Sequence, residues 1–193
     1  MTQNRIRNAL MDGAIKVVAR DGLEKITTRS IASECDLHDA YIYRYFIDKE
    51  DLLMKTFIRE DKAMTARIKE NLENSDLKGK SIEEVLRAIV MPMWDFLMEN
   101  EDVCKFYVRY YYSIHFEKDA IEEFREDNRT LHAAFEELFP KGADLELMFH
   151  YHMDTLLNIA MKVTTDEIEK TPDIGERVFK LLYSVTKVFL KTA

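Results

Sequence analysis

The stretch TTRSIASECDLHDAYIYRYFIDKEDLL, Thr27 to Leu53, packs three tyrosines and an arginine into five residues, Tyr41-Ile42-Tyr43-Arg44-Tyr45. On a helical wheel, Ile42 and Phe46 fall four apart on one face, where Leu37 can join them. The opposite face carries Ala40, Tyr41 and Arg44, with Tyr43 and Tyr45 on the flanks. At least one tyrosine and the arginine must therefore point to solvent or to a partner. Upstream, Thr27 or Thr28 can N-cap a short helix whose Ile31, Ala32 and Cys35 turn inward. Asp36 to Asp39 break that helix. A short helix, a tight turn and a second short helix with an exposed polar and aromatic face make the geometry of helix-turn-helix DNA recognition. There the second helix lies in the major groove and the first crosses the backbone.

Outward from this stretch the pattern stays helical. Ile6, Ala9, Leu10, Ala14, Val17 and Val18 recur at spacings of three and four, which predicts an amphipathic helix ending at Asp21-Gly22. A long helix is expected from about Glu50 to Glu73, followed by a loop, NSDLKGKS, at Asn74 to Ser81. Ser81 and Glu84 form a capping box for a helix carrying Ile82, Val85, Leu86, Ile89, Val90, Met93 and Leu97, with a kink expected at Pro92. Further helices are expected over 101–115, 117–138, 144–169 and 174–191. No stretch reads as a strand, so the fold class is all-α with about nine helices. A three-helix helix-turn-helix DNA-binding domain is expected over residues 1–50, and a helical ligand-binding and dimerisation domain over residues 51–193.

The composition agrees. The 193 residues are 47% hydrophobic and 33% charged, and they include only 5 Gly and 3 Pro. That is enough apolar material for one good core, and few residues that make the turns of a sheet. Cys35 and Cys104 stand too far apart for a zinc motif and are too few for a disulfide framework, so both read as small core residues of a reduced protein. The first residues, MTQNRIRNALMDG, contain no apolar run of signal-peptide length, and the longest apolar stretch, Ala88 to Trp94, cannot span a bilayer. The expectation is a cytoplasmic protein. The net charge of −8 argues against nucleic acid when taken whole, but its distribution matters. Residues 1–49 hold 8 Lys/Arg against 7 Asp/Glu, and residues 50–193 hold 20 against 29. The acid lies in the larger part.

The motif Gly22-Leu23-Glu24, Thr27-Thr28-Arg29-Ser30-Ile31-Ala32, Leu37, Ile42-Tyr43-Arg44-Tyr45-Phe46, Lys49-Glu50-Asp51-Leu52-Leu53 resembles the DNA-binding signature of the tetracycline-repressor (TetR) family, over roughly residues 5–55. The resemblance implies an all-helical homodimer in which three N-terminal helices bind DNA and about six others bind a small ligand and dimerise. It implies that Thr28 holds a phosphate and that Arg29 reaches a base or phosphate. His38, Asp39, Ala40 and Tyr41 would form the tip that meets base edges, with Arg44 and Tyr45 beside them. Tyr43 would donate its hydroxyl to a phosphate and Lys49 would pair with another. Two positions depart from the pattern. Asp36 stands where the family has glycine, which requires aspartate in a left-handed turn. His38 stands where a serine is usual, and Asp39 brings a carboxylate near phosphates, where it could instead accept from a cytosine amino group.

The remaining motifs point to no chemistry. There is no GxSxG, P-loop or GxGxxG, so neither an enzyme nor a cofactor site is expected. His150 and His152 are two apart on a helix and point apart, so one metal ion cannot take both. Trp94, the only tryptophan, is the expected centre of an effector pocket with Met91, Met98, Phe106, Tyr110, Phe135 and His152. That lining favours a lipophilic or aromatic molecule, neutral or cationic. The dimer interface is expected from Phe149, Met153, Leu156 and Ala160 with Ile174, Val178, Leu181, Leu182, Val185, Val188 and Phe189, which also read as a stripe closing the monomer's own core. The expected function is a ligand-responsive transcription regulator, most simply a repressor on a palindromic operator with half-sites about one or one and a half turns apart. The alternative is a small helical ligand-binding protein or enzyme without DNA binding.

Overall fold

In the computed structural model of the protein, residues 3–75, 79–116, 120–122, 124, 126, 129 and 144–192 are described. They form α-helices α1 (Gln3–Asp21), α2 (Thr28–Glu34), α3 (Lys49–Asn74), α4 (Ile82–Glu99), α5 (Glu101–Tyr111), α6 (Leu145–Thr164) and α7 (Ile174–Thr192). Two 3-10 turns, Leu23–Lys25 and Asp39–Arg44, complete the set, and no strand occurs among the described residues. The helix expected over 117–138 lies largely outside the described residues.

The helix ends follow local chemistry. After α1, Gly22 adopts φ 90°, a value glycine accepts without cost, and its N–H donates to Val18 O at 3.0 Å. Thr27 caps α2 through a reciprocal box with Ser30, 3.0 Å in each direction. Before α4, Ser81 and Glu84 form the anticipated box. The Ser81 backbone N–H is the main reason the Glu84 carboxyl is held down to about 2. The helix runs through Pro92. Two expected ends fall short. α5 stops at Tyr111, where Ser113 Oγ donates to Tyr110 O at 2.7 Å. α6 stops at Thr164 because Asp166 turns left-handed, φ 60°, while Glu167 N–H reaches back to Lys162 O at 2.9 Å. This is a glycine-type termination carried by an aspartate, so the sequence offered no glycine to mark it.

The chain packs into two compact units, residues 1–62 with 100–125, and residues 63–99 with 126–193. In the first unit α1 packs on α2 and α5. Its core holds Leu10, Ala14, Val17, Val18, Ile31 and Ile42, with Phe57 stacked on Tyr107 at 4.5 Å and on Tyr110 at 5.0 Å. Burying each large apolar side chain contributes about 1.5–3 kcal/mol. Tyr107 donates its hydroxyl to Asp61 at 2.6 Å, and burial followed by that carboxylate pushes the phenol well up, so it stays a donor. Arg109 bonds the last carbonyls of α1, those of Val18 and Ala19, from the side of α5. That is the position where a cation meets the negative end of a helix.

In the second unit α4 packs on α6 and α7, and α6 on α7. Val85, Leu86, Met93, Leu97, Leu156, Leu157, Ala160, Val178, Phe179 and Leu182 make the core. Arg87 lies over the Phe179 ring at 4.1 Å and pairs with Glu176.

Candidate nucleic-acid interface

The recognition element is a 3-10 turn, Asp39–Arg44, rather than the expected α-helix over Ala40 to Phe46. Its backbone is held by short-range bonds such as Tyr41 N–H to His38 O at 3.0 Å, and Phe46 N–H closes on Ile42 O at 2.9 Å just beyond it. The turn is anchored from below by Ile42 and Phe46, both buried. It is aimed by the preceding bend. Asp36 adopts φ 55°, and Leu37 N–H bonds Ala32 O at 2.9 Å, closing α2 and sending the chain across it. This is the left-handed turn that the resemblance required of Asp36.

The polar face is displayed as expected. Tyr43 is 62% exposed, and Arg29, His38, Ala40 and Arg44 are exposed too. The Arg44 guanidinium lies over the Tyr41 ring at 4.9 Å, which holds both side chains on one side of the turn. Tyr45 is half-buried and its N–H closes the turn on Ile42 O at 3.0 Å. Thr28 is half-buried at the first position of α2. Lys49 Nζ sits 3.3 Å from Glu50 and 3.5 Å from Ile26 O. His38 Nδ1 faces two groups, the Ala40 N–H at 3.2 Å and the Asp39 carboxylate at 2.8 Å. One nitrogen serves one of them at a time: bare, it accepts from Ala40, and carrying the hydrogen, it donates to Asp39.

One positioning residue was not singled out from the sequence. Asp51 accepts from the Ile47 N–H and from Lys55 Nζ, both at 2.9 Å, and so ties the exit of the turn to α3. Its signal was the i, i+4 spacing of Asp51 and Lys55.

The expected effector residues divide. Met91, Trp94 and Met98 come together on α4 along a groove of about 430 Å³ with Asp95, residues Lys170 to Pro172 and residues Ile174 to Glu176. Trp94 is 4% exposed. A Cβ on Gly175 would stand 2.7 Å from Trp94 Nε1, so only glycine lets α7 begin so close to the indole. Phe106 and Tyr110 are core residues of the first unit, packed with each other, and Tyr110 also stacks on Phe57. His152 uses both ring nitrogens within its own unit, donating from Nδ1 to Met148 O at 2.7 Å and facing Thr186 Oγ1 at 2.9 Å from Nε2. Burial holds it below the usual histidine value. Phe135 lies outside the described residues. His150 is exposed while His152 is buried, and no group of metal-binding side chains occurs among the described residues.

The expected dimer stripe divides as well. Met153, Leu156, Ala160, Ile174, Val178 and Leu182 are buried within the single chain. Leu181 and Val188 are exposed, 49% and 61%, with Val185, Phe149 and Phe189 half-buried. No helix among the described residues is long and apolar enough to cross a membrane.

A capped short helix, a left-handed bend and a buttressed polar turn define the helix-turn-helix class of DNA-binding domain. Residues 10–55 match the family described as bacterial regulatory proteins, tetR family, so this segment resembles that family's DNA-binding domain. It is 29% identical over 82 residues to the fatty acid metabolism regulator protein of Bacillus subtilis (strain 168), a match that spans 42% of this chain and 40% of the relative. The fold resembles a TetR family transcription regulator from Marinobacter aquaeolei VT8, with a TM-score of 0.78 and 19% identity over 95% of this chain and 97% of the other. It also resembles the regulator FadR from Bacillus subtilis in complex with stearoyl-CoA, with a TM-score of 0.72 and 18% identity over 91% and 96%.

Proposed function

We propose that the chain is a homodimeric, ligand-responsive repressor that acts in the cytoplasm, held on a palindromic operator by the Asp39–Arg44 turn and released by a lipophilic effector. The observation that carries the reading is the division of the turn into a buried base, Ile42 and Phe46, and an exposed face, Tyr43 and Arg44 with Tyr41 under the guanidinium. In this reading Tyr43, Thr28 and Lys49 take phosphates, while His38, Asp39, Ala40 and Arg44 read bases and Arg29 reaches either. The exposed part of the α7 stripe, Leu181, Val185 and Val188 with Phe149 and Phe189, meets the same surface of a second copy. The groove at Trp94 receives the effector, and occupancy shifts the population away from the DNA-competent state. The FadR bound to stearoyl-CoA makes long-chain acyl thioesters the first effectors to try. Neutral and cationic aromatic compounds follow, because Asp95 and Glu176 also line the groove.

The test is a gel shift with the promoter region of the chain's own gene. The expected result is a retarded complex that excess unlabelled promoter removes and scrambled duplex does not. An absence of any retarded complex at low salt would overturn the reading in favour of a helical ligand-binding protein.

A further inference from the structure

The first 49 residues are almost neutral, yet their charges are not evenly compensated. Arg20 takes up two acids, Asp21 at 3.1 Å and Glu34 at 2.9 Å. Asp12 is taken by Arg59 at 2.7 Å, and Lys49 is paired with Glu50. Asp48 accepts the Asp51 N–H at 2.7 Å and so caps α3. Arg5, Arg7, Lys16, Lys25, Arg29 and Arg44 make no ion pair among the described residues. Two of these six are held by rings of the recognition segment instead: Arg44 on Tyr41, and Arg7 on Phe46 at 5.5 Å from the centroid. Phe46 is buried and closes the turn, so Arg7, although carried by α1, is fixed at the turn's exit. Lys55 approaches the same ring at 6.0 Å, but Asp51 neutralises it. Arg7 is half-buried, and a guanidinium engaged with a ring still carries N–H donors able to bond elsewhere. A fixed, uncompensated fork of donors suits a phosphate, which it can grip by two parallel bonds.

We infer that Arg7 is a DNA-phosphate clamp, placed by Phe46 at the exit of the recognition turn and contributed from outside the helix-turn-helix. The inference rests on the DNA-binding reading above. It differs from the base-reading role given to Arg44, because a phosphate contact carries no sequence information.

The experiment measures binding of the full chain to the promoter duplex and to a shuffled duplex by fluorescence anisotropy across a range of salt concentrations. Arg7→Gln is expected to weaken both duplexes by the same factor. It should also lower the slope of log K against log salt by about 0.9 for each clamp lost. Arg7→Lys is expected to keep the wild-type slope, since an ammonium still releases a counterion. Arg7→Gln with the slope of the wild type would overturn the clamp and leave Arg7 as packing for Phe46. So would a loss confined to the promoter duplex, which would make Arg7 a base reader. If Arg7→Gln unfolds, the decision passes to Arg7→Lys, where a slope reduced as far as a full lost contact overturns the proposal. Wild-type protein that binds neither duplex would sink the DNA reading itself, a result distinct from all of these.

Discussion

Tyr43 and Arg44 are neighbours with different tasks, and their substitutions separate them. Tyr43→Phe removes one phosphate hydrogen bond and should weaken binding about equally on every duplex. Arg44→Ala should cost about 1–3 kcal/mol and relax preference at one base pair in each half-site. A panel of single-base operator variants measured against both proteins checks this, and a uniform loss for Arg44→Ala would reduce it to a phosphate contact. Asp36 offers a test in the opposite direction. At φ 55° an aspartate tolerates the left-handed region at a cost that glycine avoids. Asp36→Gly should therefore leave DNA binding intact and stabilise the chain by up to about 1 kcal/mol after glycine's own entropy is counted, read as a higher midpoint of thermal unfolding. Much at this scale was legible in the sequence: the spacing of Ile42 and Phe46 set the buried base and left Arg44 outside. The stacking of Arg44 on Tyr41 and of Arg7 on Phe46 was not legible, because a ring contact depends on rotamers and, for Arg7, on a partner 39 positions away.

Among the elements, α1 and α2 meet where Gly13 faces Cys35. A Cβ on Gly13 would stand 2.4 Å from Cys35 Sγ, and that thiol already donates to Ala9 O at 3.0 Å. Gly13→Ala should destabilise the chain by about 1–3 kcal/mol through overpacking, despite alanine's better helix propensity. Adding Cys35→Ala should recover most of the loss, and a double-mutant cycle by chemical denaturation measures the recovery. In the other unit, His152 ties α6 to α7. Its folded value lies below the usual 6.5, so the unfolded chain binds the proton first as pH falls. Stability from this residue is therefore fully present above 6.5 and declines as pH drops below it. His152→Gln should flatten that part of the stability–pH curve. Helix positions were readable from apolar spacing and caps. The early end of α6 was not, because Asp166 does there what glycine usually does, and neither was the 3-10 character of the recognition turn, whose apolar spacing fits an α-helix equally well.

For the molecule as a whole, the sequence marked one apolar stripe for dimerisation, and the fold divides it. Burial of Val178 and Leu182 closes the monomer's own unit, and periodicity alone cannot tell a residue facing its own core from one facing a second copy. The effector residues divided for a related reason. Trp94, Met91 and Met98 share a helix and stay together, whereas Phe106 and Tyr110 were joined to them only by an assumed helix arrangement. Val185→Glu is expected to give a folded monomer with operator affinity much reduced, and sedimentation decides it: a variant that remains dimeric moves the interface elsewhere. The central claim is that two copies present the Asp39–Arg44 turn to symmetric DNA half-sites. Hydroxyl-radical footprinting of the promoter region tests it most directly. The predicted result is two windows of protection related by a dyad, about one or one and a half helical turns apart, lost together in the Val185→Glu protein. A protected region without two-fold symmetry, or no protection at concentrations where the chain is folded and dimeric, would contradict it.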